Sequence, residues 1–60
     1  MPDYSKWEQK VIEIVAEDQG IPYSDASGIV EGQNFFLQQA WGKGLDAAQT
    51  AATILSRTNF

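Results

Sequence analysis

The chain has 60 residues, no cysteine, no histidine, eight acids against four bases, and a net charge of −4. These numbers exclude a disulfide framework, a thiolate zinc site and histidine-based acid–base chemistry. A hydrophobic content of 43% with 12% aromatics also sets the chain apart from disordered sequences.

The length allows one small domain over residues 1–60. A chain this short buries only about 60% of its unfolded surface, so its fold must draw on well-formed helices, tight packing or a partner. No apolar stretch is long enough to span a membrane. The opening MPDYSKWEQK lacks a basic start followed by an apolar run, so no signal peptide is expected and a cytoplasmic location is the default.

The first helix is expected over about 5–19. Ser5 to Glu8 has the S-x-x-E form of a capping box, with Asp3 as an alternative cap. Tyr4, Trp7, Val11, Ile14 and Val15 follow the three-four spacing of one apolar stripe, while Lys6, Lys10, Glu13 and Glu17 share the opposite face. Gly20 is suited to a left-handed stop, Ile21 to packing back on the last turn, and Pro22 prevents continuation.

A second helix is expected over about 24–41. Ala26, Ile29, Val30, Gln33, Phe36, Leu37, Ala40 and Trp41 fall on one broad arc, with Gly28, Gly32, Phe35 and Gln39 beyond its edge. Trp7 and Trp41 lie on their helices' apolar arcs, and both are expected to be at least half buried. Two interior glycines cost roughly 1 kcal/mol each relative to alanine. A middle helix touches both neighbours, so the expectation is that another helix crosses the Gly28/Gly32 strip closely, the third being the best candidate. The other reading is an external groove floored by bare backbone, with Phe35 beside it.

Gly42-Lys43-Gly44 reads as a helix–helix turn. Asp46-Ala47-Ala48-Gln49 is a second capping box, opening a third helix over about 46–57 with Ala47, Ala48, Ala51, Ile54 and Leu55 as its apolar face. Residues 58–60 are expected to form a tail. No segment alternates with the period of a strand. The sum is an all-α, compact three-helix bundle.

Little in this pattern carries chemistry. The serines have no histidine to activate them, Lys43 stands between two glycines, and no phosphate-binding glycine loop occurs. Glu17-Asp18-Gln19-Gly20 lacks the spacing of a calcium loop. The chain is therefore expected to be no enzyme, and to use no cofactor and no metal. Four scattered cations make no basic stripe, so no nucleic-acid binding is expected.

Gly20-Ile21-Pro22 after a first helix loosely resembles ubiquitin-associated modules, but the second helix is longer than theirs and their Met-Gly-Phe/Tyr loop is missing, so no family is assigned.

What remains is protein–protein contact. The first expectation is a small interaction module, with an unidentified protein partner or a homodimer, using Gly28, Gly32, Phe35 and Gln39 of the second helix. The alternative starts from charge. Residues 1–31 hold seven acids against Lys6 and Lys10, a net −5, whereas residues 32–60 carry +1. That asymmetry suits an acidic regulator or inhibitor, in the style of small bacterial or phage proteins, that occupies a basic site through residues 1–31, with Glu13 and Glu17 on its polar face.

Overall fold

A computed structural model describes residues 3–58. Four helices run in order: α1 (Tyr4–Gln19), α2 (Tyr23–Glu31), α3 (Asn34–Lys43) and α4 (Ala47–Thr58). The described residues contain no strand. The chain is all-α as expected, but the count of three helices is corrected to four, because the span expected as one helix over 24–41 is broken at Gly32 and Gln33. Of the expected tail, Asn59 and Phe60 lie outside the described residues, and Thr58 belongs to α4.

The start of α1 is set by Asp3, whose Oδ1 accepts the Ser5 N–H at 2.9 Å. The alternative cap is therefore the one used, and the Ser5–Glu8 box does not form, since Ser5 already lies inside the first turn. An ionised carboxylate at a helix N-terminus gains from the macrodipole as well as from the hydrogen bond. Starting there also brings Tyr4 into the helix, where its ring lies 5.5 Å from that of Trp7.

Two helices end in the same way. Gly20 adopts φ 65° and ψ 35°, its N–H pointing to Glu17 O at 3.4 Å, and the Ile21 N–H reaches Ala16 O at 3.1 Å. Gly44 adopts φ 78° and ψ 21°, its N–H donating to Trp41 O at 3.1 Å, and the Leu45 N–H to Ala40 O at 3.0 Å. Both are Schellman turns, in which a left-handed residue lets the chain satisfy the orphan carbonyls and reverse. After the second, the expected capping box is present: Gln49 N–H donates to Asp46 Oδ1 at 2.7 Å, and Asp46 N–H to Gln49 Oε1 at 3.3 Å.

The bend between α2 and α3 is carried by one residue. Gly32 keeps a helical backbone (φ −65°, ψ −16°), whereas Gln33 moves to φ −106° and ψ 31°. The Gln33 N–H bonds Val30 O, three residues back, at 2.9 Å, and the helical pattern resumes with Leu37 N–H to Gln33 O at 2.9 Å. The apolar arc survives the bend, since Ala26, Val30, Leu37 and Ala40 are all buried.

The core joins these to Trp7, Val11, Ile12 and Val15 of α1 and to Ala51 and Ile54 of α4. The central element is α1, which packs along both α4 and α2. A helix with two neighbours buries a wider face than one stripe, so Ile12 is buried beside the expected positions. On α4 the expected Ala48 is exposed, and Thr50 takes the inward place, its hydroxyl satisfied by Asp46 O at 2.8 Å. The Cα radius of gyration is 10.4 Å, matching the roughly 10 Å of a well-packed chain of this length.

The expected crossing over the glycine strip does not occur. Gly28 and Gly32 are both exposed, and a Cβ built on Gly28 would meet nothing within 4 Å. Because α1 takes the middle position, α2 has a free outer face. A Cβ on Gly32 would meet only its own preceding turn, Ile29 O at 3.3 Å and Gly28 O at 3.4 Å.

Two stability changes follow. Gly28→Ala should raise stability by about 0.5–1 kcal/mol in chemical denaturation, since the backbone is helical and the space open, and Gly28→Leu should be tolerated rather than overpacked. Trp7→Phe should lower stability by about 1–3 kcal/mol in the same assay, because the indole N–H donates to the part-buried Leu45 carbonyl at 3.1 Å, which would lose its partner.

Candidate functional site

The six residues expected to touch a partner fall into two groups. Glu13 and Glu17 are exposed on α1. Glu17 lines a shallow opening of about 450 Å³ with Ile14 and Asp18, and Glu13 does not. Asp18 Oδ2 accepts from Gln19 Nε2 at 2.9 Å. No ion pair among the described residues neutralises these carboxylates, and no cluster of three potential metal-ligating side chains occurs among those residues.

The other group flanks the bend. Gly28 of α2 and Gly32 at its C-cap are exposed one turn apart, and Phe35 and Gln39 are exposed one turn apart on α3. A continuous helix would place all four in one strip, but the change of direction at Gln33 divides them into two pairs on either side of the joint. Phe35 remains 76% exposed, the most exposed large apolar side chain described, ahead of Tyr23 at 45%. Its neighbour Phe36 is treated differently: it is partly buried against the core, and the Arg57 guanidinium lies 4.9 Å from its ring centroid. From Gly32 to Gly42 the sequence has no charged residue, so Phe35 sits in an uncharged stretch of an acidic chain.

A third feature joins residues that were not singled out as a site. Tyr4, Trp7 and Trp41 form an aromatic cluster, with Tyr4 to Trp41 at 5.3 Å edge-on and Trp7 to Trp41 at 5.2 Å. Trp7 is 9% exposed and Trp41 partly buried, as expected of both indoles. Beside them opens a cleft of about 330 Å³ lined by Trp7, Trp41, Gly44, Leu45, Asp46 and Ala47. The signal in the sequence was the pair of tryptophans together with the Gly44-Leu45-Asp46 turn. Their proximity depends on the bend at Gln33, which local pattern does not show.

Within the cluster, the Tyr4 hydroxyl is shielded from solvent and has no hydrogen-bond partner among the described residues. Burial, and secondarily the charge of Glu8, push its ionisation above the ordinary phenol value of 10.0.

Comparison with protein-family models, curated proteins and solved structures finds no match for this chain. Among the described residues, no helix is long and apolar enough to cross a membrane.

Tyr4 gives a test of this environment. Its folded-state value lies above its unfolded one, so its contribution to stability is complete below pH 10 and is lost as the pH rises further. Tyr4→Phe should remove that part of the alkaline loss of stability in denaturation melts. At neutral pH the variant should match or exceed the parent by up to about 1 kcal/mol, since an unpaired buried hydroxyl is removed.

Proposed function

We propose that this chain is a small, non-enzymatic protein–protein interaction module that makes contact through the exposed face of α3 around Phe35 and Gln39, with the bare backbone of Gly28 and Gly32 across the bend. The observation that carries this reading is the 76% exposure of a phenyl ring on a chain too short to leave apolar surface uncovered without cost. Aromatic side chains are favoured anchors in interfaces, where most of the binding energy falls on a few residues. The uncharged run from Gly32 to Gly42 suits association with a second copy, because it brings no like charges together on a chain of net charge −4.

A second reading has its own support. Glu13, Glu17 and Asp18 stand exposed without ion pairs among the described residues, in the half of the chain that holds most of the acids. An acidic regulator would set this surface against a basic site on another protein.

Light scattering coupled to size exclusion, run over a concentration series, tests the first reading. The parent should self-associate, and Phe35→Ala should weaken this by about tenfold or more, as expected for loss of an aromatic anchor. Salt separates the two readings: contact through Phe35 should change little between low and high ionic strength, whereas an acidic contact weakens steeply. A parent that stays monomeric and a Phe35→Ala variant that captures the same proteins as the parent would together overturn the first reading.

A further inference from the structure

The indole-lined cleft is separate from the Phe35 face and supports a reading of its own. Its volume of about 330 Å³ lies at the lower end of the range of small-molecule sites, about 300–1,000 Å³. Its walls are mainly apolar: the rings of Trp7 and Trp41, the side chains of Leu45 and Ala47, and Gly44, which contributes no side chain. The one charged residue among the lining side chains is Asp46, which is exposed.

Several polar groups around the cleft are already engaged. Trp7 Nε1 donates to Leu45 O. Of the α4 N-terminal amides, Gln49 N–H is held by Asp46 Oδ1 and Thr50 N–H by Asp46 O. An anion entering here would meet a carboxylate that already occupies the helix N-terminus. A cation would meet that carboxylate, whose Oδ2 takes no hydrogen bond among the described residues, beside aromatic rings that also attract positive charge. The net charge of −4 adds to the same preference.

We propose that this cleft binds a small arylalkyl ammonium compound, its flat apolar body between Trp41, Leu45 and Ala47 and its ammonium group toward Asp46. Trp7 and Trp41 are the chain's two tryptophans and both line the cleft, so intrinsic fluorescence reports occupancy directly.

The test titrates the full chain with phenethylamine, with phenethyl alcohol as neutral isostere and hydrocinnamate as anionic isostere. Saturable change with phenethylamine is expected, about fivefold weaker binding for the alcohol, as fits one exposed charge contact, and the weakest for hydrocinnamate. Asp46→Asn retains a capping residue and should bring amine and alcohol to equal affinity. Ala47→Leu should fill the cleft and abolish binding of both, with circular dichroism showing unchanged helix in each variant. No saturable response to any probe in the parent, or parent-like binding by Ala47→Leu, would overturn the site. Equal affinities for the amine and hydrocinnamate would overturn the assignment of an ammonium ligand.

Discussion

The hydrogen bond from the Trp7 indole to the Leu45 carbonyl joins residues 38 apart in sequence and fastens the first turns of α1 to the turn between α3 and α4. Both ends are prepared locally. Asp3 starts α1 early enough for Tyr4 and Trp7 to share its first turns, and the left-handed Gly44 turns the chain so that Leu45 presents its carbonyl. Trp41, on the last turn of α3, packs on both rings. A single point thus ties the beginning of the chain to the junction of α3 and α4. The aliphatic core of Val11, Val15, Val30, Leu37 and Ile54 fills the rest.

The bend at Gln33 is what makes that point reachable. One straight helix from Tyr23 to Lys43 would run about 31 Å at 1.5 Å per residue, against about 24 Å for the 16 residues of α1. Such a helix would carry Trp41 past the end of its partner. With the bend, α2 stays against α1 while α3 returns Trp41 to Tyr4 and Trp7. Weak helix propensity at Gly28 and Gly32 lowers the cost of interrupting the helix there.

These facts mark the limit of what the sequence showed. Features set by a few consecutive residues were legible: the Gly20 stop, the Asp46–Gln49 box, the all-helical character and most of the buried positions. The bend was not, because Gly32 keeps helical angles and the apolar arc runs on unbroken through Gln33; it shows only in the backbone angles of Gln33 and in the packing of the helices. The same omission misplaced the glycine strip. Assigning the middle place to the second helix required a neighbour over Gly28, whereas α1 holds that place and Gly28 faces open space. Phe35 lay off the apolar arc in the sequence and is exposed, but its alignment with Gly28 and Gly32 assumed a straight helix. The cleft was hidden for the reason that hid the bend.

The central position of α1 also fixes when the fold can close during synthesis. Its most extensive partner is α4, the last of the four described helices. Until Ala51 and Ile54 emerge, Val11 and Val15 have only residues of α2 and α3 to lie against, and the carbonyl that anchors Trp7 is itself made late. Closure therefore waits on contacts of high sequence separation, which carry the largest loop-closure cost. A nascent chain halted before α4 lacks Ala51 and Ile54, so part of the apolar centre stays open to chaperones and proteases until they are made.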